Sequence, residues 1–430
     1  MLVLRLLFSA LLYSRSWNIV YGKSDDKLLL VNVLYRHGDR SPLCAYPNDK
    51  YKEDYWPQGF GQLTQIGMNR QYDLGKFLRT RYDDFLNETY KRSQFVVRST
   101  DVDRTRMSAQ CNLAGLYPPV GHQEWNLELP WQPIPVHDVP ISEDYVLRTD
   151  GVNCPLYNKL FEDVLNSPEV KKLNEDNKKF LENVSKNAGY NKTLKISEIM
   201  HLYDTVFVER MNNLTEPGWL TDGVFTNINH LADIGLANRF KGKDIGKLKG
   251  GNLVQLMTQN MNNKTKDEDS KMKFYMYSAH DTTLVAFLSA LQIYNGFQPP
   301  YATCVGVELW KNSKMEPYVK IWYRNDSTTE PYDLSIPGCN ITCSFNDFKA
   351  LTKDILPGDI KKACQLSSTD QMGYLIPVAV GVSVLVLVIV ALLAFKAIRS
   401  TNQARSQGGF LGFGRTPPFA RTPLLPANPP

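Results

Sequence analysis

The sequence predicts an α/β fold: a mixed sheet flanked by helices, an inserted and mainly helical lobe, and one transmembrane helix. Three observations predict it. Short continuous apolar runs end in charged or glycine-containing turns, as strands buried on both faces do. Segments with apolar residues at helical spacing follow those turns. Tyr374–Phe395 is a stretch of 22 residues without a charge, long enough to cross a bilayer.

The ends of the chain stand apart from this core. Residues 1–22 carry Arg5, the apolar run from Leu6 to Leu12, and small residues up to Gly22, the pattern of a cleaved signal peptide. Lys396 and Arg399 follow the apolar stretch of 374–395 directly, which places the C-terminus in the cytoplasm by the positive-inside rule. The expected organisation is therefore a signal peptide (1–22), a lumenal or extracellular domain (23–373), a transmembrane helix (374–395) and a low-complexity, proline-rich cytoplasmic tail (396–430). The formal charge of +5 belongs mostly to the ends: without Arg5, Arg15 and the five tail cations, 42 basic residues face 44 acidic ones. A nucleic-acid-binding surface is excluded on that balance.

Within the domain, Leu28–Leu34 reads as a buried strand running into Arg36-His37-Gly38-Asp39-Arg40. A helix follows over Gln62–Phe85, with Leu63, Ile66, Leu74, Phe77 and Leu78 on one face. Phe95–Val97 is a second strand, ending in the stretch from Arg98 to Thr105; helix is expected from Val102 to Leu116, stopped by Pro118-Pro119. Four prolines make 129–140 extended or looped. From about Leu156 to Met261 the composition shifts to Lys, Glu, Asn and Leu at helical spacing, and the helical lobe is expected over about 141–261. The sheet resumes at Lys273–Ser278, which ends in His280-Asp281, and a helix follows from Leu284 to Leu291. Val305–Trp310 and Val319–Tyr323 alternate as an antiparallel hairpin at the sheet edge.

Three strand ends thus carry charged turns, and parallel neighbouring strands would bring them to one crevice. Guanidinium forks bind phosphate oxygens while an imidazole attacks phosphorus. Clustered cations should also lower the pKa of His37 and keep it nucleophilic in mild acid. An acid such as Asp281 must be protonated to donate to a leaving group, which favours acidic solution. No metal-ligand spacing joins the remaining histidines, His122, His137, His201 and His230. The acceptor sequons at Asn87, Asn183, Asn191, Asn213, Asn263, Asn325 and Asn340 fit a glycosylated ectodomain, where disulfides among the seven cysteines are expected.

The stretches Arg36–Pro42, Trp56–Thr64, Arg98–Thr105, Trp131–His137 and Tyr277–Thr283, in that order, resemble the histidine acid phosphatases, and within them the vertebrate prostatic and lysosomal branch. The resemblance covers about 28–364. It implies that His37 is the nucleophile forming a phosphohistidine, that Arg36, Arg40, Arg104 and His280 hold the substrate phosphate, and that Asp281 protonates the leaving alcohol. Arg98 is then structural, and Asp39, Asp101 and Asp103 orient arginines or cap turns. No metal or other cofactor is implied. The matching Trp131 and His137 imply a homodimer. Two disulfides are implied, Cys154–Cys364 and Cys339–Cys343; Cys304 matches half of a third, whose partner position is Val208 here. Cys44 and Cys111 have no counterpart, and their proximity to Arg40 and Arg104 suggests that they pair.

The expected activity is a metal-independent acid phosphatase acting on small phosphate monoesters, with phosphotyrosine, nucleotide or lipid phosphates as candidates. An ecto-nucleotidase or lipid phosphatase of the same fold is the first alternative. A catalytically silent receptor or adhesion protein is the second, and retention of all six site residues argues against it. The tail has no tyrosine for a lysosomal sorting signal, so residence at the cell surface is expected as much as in endosomes or lysosomes.

Overall fold

The computed structural model describes residues 26–367 and 385–397. The first body begins with β1 (Lys27–Arg36), α1 (Gln65–Arg81), β2 (Phe95–Ser99) and α2 (Asp103–Leu116). It continues through α3 (Pro155–Asn166), α4 (Pro168–Asp176), α5 (Lys178–Ala188), α6 (Ile199–Met211), α7 (Asp222–Asn238), α8 (Lys243–Lys249) and α9 (Gly251–Lys266). Then come β3 (Phe274–Ala279), α10 (Asp281–Ala290), β4 (Cys304–Lys311), β5 (Pro317–Arg324), β6 (Tyr332–Leu334), β7 (Cys343–Ser344), α11 (Phe345–Thr352) and α12 (Ile360–Ala363).

The sheet order is β2-β3-β1-β4-β5-β6, with β7 also paired to β5. β2, β3 and β1 run parallel, and β1 pairs antiparallel with β4. β1 shows why its run is continuously apolar. Val31, Val33 and Tyr35 join one core cluster, with Leu74 and Leu78 of α1 and Leu113 and Leu116 of α2. Leu30 and Leu34 join the other, with Met257 of α9 and Phe287 of α10. Helices therefore cover both faces, and alternate residues of one strand serve two cores.

The inserted lobe has its own core, built from Leu181, Val184, Ile199, Leu202, Val206, Ile228 and Leu231. Its expected range ran to residue 261, but α9 does not share that core. Leu253, Val254, Met257 and Met261 pack on the sheet instead; helical spacing shows which face of a helix is apolar, not which core receives it. The 129–140 stretch is irregular, as four prolines dictate, though His137 bridges to Arg98 beside β2.

Cys154–Cys364 and Cys339–Cys343 are bonded. The expected Cys44–Cys111 bond is not formed: Cys44, Cys111 and Cys304 are all free. Thr205 of α6 donates to the Cys44 carbonyl at 2.7 Å, on the lobe side, whereas Cys111 lies two turns into α2, near enough to Tyr35 of β1 to bear on its phenol. Long arginine side chains let Arg40 and Arg104 converge from separate backbones, and a disulfide needs Cα atoms within about 7 Å.

Six sequon asparagines are exposed and Asn325 is half-buried, so all seven are open to solvent. Among the described residues no helix is long and apolar enough to cross a membrane. Residues 385–397 are helical, and Leu385, Leu387, Leu392, Leu393 and Phe395 are each more than half exposed. The first part of the expected span (374–384), the expected signal peptide and the tail beyond 397 lie outside the described residues.

Candidate active site

The three charged turns meet. β1 delivers Arg36 and His37, β3 delivers His280 and Asp281 at the start of α10, and the turn after β2 delivers Arg104 on the first turn of α2. The register pairs Arg36 with Ala279 and Ser99 with Ser278, so the three strands end level with one another. Gly38 is required here by close approach. A Cβ at that position would lie 2.3 Å from the carbonyl oxygen of Gly67 in α1, so the turn after β1 is pressed against the helix. The residues line one cleft of about 460 Å³, whose other wall comes from α6 and α7 of the lobe.

His37 is 1% exposed. Its Nδ1 donates to the Gly38 carbonyl at 2.8 Å, which leaves Nε2 as the atom with a free lone pair. Burial, then Arg104, Arg36, Arg40 and His280, hold its pKa well below the usual imidazole value. Arg36 pairs with Asp281 at 2.7 Å, donates to the Pro299 carbonyl at 2.6 Å and stacks 4.1 Å from the Tyr301 ring centroid. Arg40 is held in a two-point pair with Asp204 of α6, at 2.7 and 3.0 Å, and Asp204 also accepts from the Leu43 amide at 2.9 Å.

His280 sits among donors. Its Nε2 lies 3.0 Å from Thr100 Oγ1 and 3.1 Å from Arg148 Nη1, and its Nδ1 lies 3.4 Å from Arg104 Nη2. Burial and the guanidiniums of Arg104 and Arg148 keep this ring, too, well below the ordinary pKa. Burial pushes the Asp281 carboxyl up, but Arg36, Arg40 and His280 outweigh it and hold the group at about 2. Asp281 is thus ionised beside these cations, where the sequence reading required a proton on it. Burial and its neighbours Arg40 and Arg148 bring Arg104 down to about 10. The Nε atoms of Arg36, Arg40 and Arg104 are buried without a partner, as are those of Arg79 and Arg98 outside the cleft; what suits the cleft to an anion is the convergence of Arg36, Arg40, Arg104 and Arg148 on it.

All six residues expected from the sequence come together. Of the three aspartates expected to orient arginines or cap turns, Asp39 pairs with Arg70 at 3.3 Å and Asp101 with Arg106 at 2.6 Å, so neither holds a phosphate-facing arginine, and Asp103 stands in the first turn of α2. Arg98 is structural as expected, paired with the fully buried Asp144 at 2.5 Å. Sequence reasoning missed Asp204, Arg148, Thr100 and Tyr301. Only Thr100 carried a signal, since it lies inside the Arg98–Thr105 stretch. Among the described residues no group of three or more metal-ligating side chains occurs.

Comparison with known proteins gives the same grouping. The model of the "Histidine phosphatase superfamily (branch 2)" matches residues 27–324. A lysosomal acid phosphatase of Xenopus laevis is 40% identical over 95% of this chain and 92% of its own length. A prostatic acid phosphatase of Bos taurus is 42% identical over 80% of this chain and 89% of its own. Among solved structures, a Hafnia alvei phytase bound to tartrate aligns at a TM-score of 0.61 and 17% identity, covering 80% of this chain and 99% of the phytase; at that identity it supports the fold alone. The matched stretch contains every strand that ends in the cleft and the whole lobe that closes it, and this chain belongs to the histidine phosphatase superfamily, branch 2.

Proposed function

We propose that this protein is an acid phosphatase that hydrolyses phosphate monoesters through a covalent phosphohistidine on His37. The observation that carries the proposal is the His37 ring, anchored through Nδ1 and presenting Nε2 to a group of incompletely bonded guanidiniums. Arg36, Arg40 and Arg104 take the phosphoryl oxygens and complement the charge that develops there, the role a metal plays in many phosphatases. Nε2 forms a bond to phosphorus as the P–O bond to the alcohol breaks.

Asp281 gives its proton to the departing oxygen. Arg36 and Arg40 hold it ionised, so the proton must arrive with the substrate. A monoester monoanion, the form favoured in acid, carries one. As the phosphoryl group takes up Arg36, Asp281 loses its cation and gains an anionic neighbour, and both effects raise its pKa. The carboxylate then takes a proton from the water that cleaves the phosphohistidine, releasing phosphate and neutral His37. The low pKa of His37 keeps the nucleophile unprotonated throughout mild acid, so the acid preference follows from the proton on the substrate rather than from the histidine.

Segment 374–395 anchors the protein as a single-pass type I membrane protein, with the catalytic domain on the lumenal or extracellular side at the cell surface or in endosomes and lysosomes. The uncharged sequence of the segment, the exposed apolar helix at 385–397 and seven solvent-open sequons support this reading. The match of Trp131 and His137 to the family pattern supports a homodimer.

The test is hydrolysis of an aryl phosphate by the purified protein at pH 5 and pH 7, with and without chelator, beside His37→Ala. Acid-favoured, chelator-resistant turnover that the substitution abolishes is expected, with acid-labile phosphate trapped on the wild-type chain. Turnover that survives His37→Ala, or disappears with chelator, would overturn the mechanism.

A further inference from the structure

We infer that Asp204 is a positioning residue for the phosphoryl transfer: from the lobe, it fixes the direction in which Arg40 offers its free N–H to the substrate phosphate. What Arg40 does for the reaction rests on the phosphatase reading above; the placement of its guanidinium rests on contacts alone.

A guanidinium carries its N–H donors in a rigid plane. Arg40 Nη1 uses both of its own, on Asp204 Oδ2 at 3.0 Å and on the Ser41 carbonyl at 3.1 Å. Nη2 uses one, on Asp204 Oδ1 at 2.7 Å. Beside the buried Nε–H, one N–H of Nη2 is left to offer from a residue that lines the cleft. A two-point pair fixes both the place and the plane of the guanidinium, so Asp204 decides where that N–H points.

Both carboxylate oxygens of Asp204 are already engaged. Oδ1 accepts from Nη2, and Oδ2 accepts from Nη1 and from the Leu43 amide at 2.9 Å. Asp204 therefore acts through Arg40, unlike Asp281, whose 2.7 Å contact with Arg36 opens as the phosphoryl group arrives.

The lobe supplies the rigidity. Leu202 and Val206, on either side of Asp204 in α6, are buried in the lobe core. The next residue, Thr205, donates to the Cys44 carbonyl at 2.7 Å. Arg40, Leu43 and Cys44 are thus bound to one turn of α6: the cation comes from the sheet, and the group that aims it comes from the lobe. A simple tether would account for the Leu43 and Cys44 contacts. It does not account for a carboxylate lining a cleft that must attract an anion. A negative charge there weakens the hold on phosphate, and the aim it gives to Arg40 where charge develops offsets that loss.

These opposing effects separate aim from tether. The experiment uses the full-length chain in detergent and compares Asp204→Asn, Arg40→Met and the double variant with wild type at pH 6. Binding of inorganic phosphate is measured by calorimetry, and turnover with an aryl phosphate. Asn keeps an acceptor for the Leu43 amide but loses the two-point pair. Asp204→Asn should therefore bind phosphate no more weakly than wild type while its kcat falls about thirtyfold. Arg40→Met leaves an unpaired carboxylate facing the anion, so adding Asp204→Asn to it should tighten phosphate about tenfold over Arg40→Met alone. A tether predicts phosphate binding and kcat weakened together in Asp204→Asn, and a double variant that binds phosphate no more tightly than Arg40→Met. Either result overturns the inference, as does an unchanged kcat in Asp204→Asn or the failure of both Asp204→Asn and the double variant to fold. Where one variant alone fails to fold, the comparison without it decides. Wild-type protein that binds phosphate but does not hydrolyse an aryl phosphate sinks the phosphatase reading instead, while the phosphate affinities still decide whether Asp204 aims Arg40. Wild-type protein that binds no phosphate sinks both.

Discussion

Two buried groups of charge sit on the same sheet, and they differ in one respect. Glu308 of β4 pairs in register with Val31, well down β1 from the cleft. Its side chain is 2% exposed, yet both carboxylate oxygens are hydrogen-bonded. Oε1 accepts from Arg81, from Tyr82 at 2.7 Å and from Trp322 at 2.7 Å, and Oε2 accepts from Trp310 at 2.8 Å. At the other end of β1, Arg36, Arg40 and Arg104 keep buried nitrogens with no partner, and among the described residues Arg104 is ion-paired to no carboxylate. Glu308 joins elements of the fold, whereas the converging guanidiniums of the cleft outnumber the carboxylates beside them and favour an anion. The comparison predicts that substitutions in the two groups have opposite effects on activity and stability.

Arg104→Met should show the largest effect. Removing a phosphate-facing cation should lower kcat/KM about 10³-fold. Because that cation is buried among Arg40 and Arg148, which bring it down to about 10, its loss should leave Tm unchanged or raise it by a few degrees. A melting curve beside an aryl-phosphatase assay checks both, and a clear fall in Tm would break the comparison at its functional end.

Glu308→Gln should do the reverse. The amide keeps one acceptor oxygen for Arg81, Tyr82 and Trp322 and turns its NH2 against the Trp310 indole N–H, while Arg81 loses its buried counter-charge. The loss should be about 3 kcal/mol, read from chemical denaturation, with kcat/KM per folded molecule unchanged. Reduced turnover in fully folded Glu308→Gln would show that the two ends of the sheet are coupled.

The same distinction explains what the sequence disclosed. Arg36, His37, Arg40, Arg104, His280 and Asp281 each lie within a few residues of a strand end, and parallel strands of matched register bring such ends together, so local sequence was enough. Asp204 and Arg148 are equally close to the chemistry, but they arrive from a mid-helix position of the lobe and from an irregular turn, where no periodicity or motif marks them. The free Cys44 and Cys111 show the converse failure. Each neighbours a site arginine in sequence, but convergence of two long side chains implied nothing about the backbones behind them. The lobe boundary failed for a similar reason, because α9 has the spacing of a lobe helix and the packing of a sheet helix.

The smallest effect is expected where the lobe carries its own buried charge. Glu209 of α6 is 1% exposed and Asp49, in the segment after Arg40, is 3% exposed; both Glu209 oxygens and Asp49 Oδ2 lack partners. Burial first, and the facing Asp49 carboxylate next, push the Glu209 carboxyl up to about 8. Tyr46 lies beside the pair, Lys50 lowers the value and Glu216 adds to it. A carboxyl raised on folding binds its proton more tightly in the native state. Its contribution is therefore complete below the unfolded carboxyl range, near pH 4.5, and is lost as pH rises to about 8. Wild-type Tm should fall between pH 5 and pH 8. Glu209→Gln, which imitates the protonated form at every pH, should flatten that fall by a few degrees while matching wild type at pH 5. This group is unsaturated, as the active site is, but it carries like charges and needs only a proton to close. An unaltered pH dependence of Tm in Glu209→Gln would mean that the two carboxyls do not share a proton. A drop in activity at pH 5, where the pair is protonated in both proteins, would mean that Glu209 acts on the cleft through Asp204, five residues earlier on the same helix.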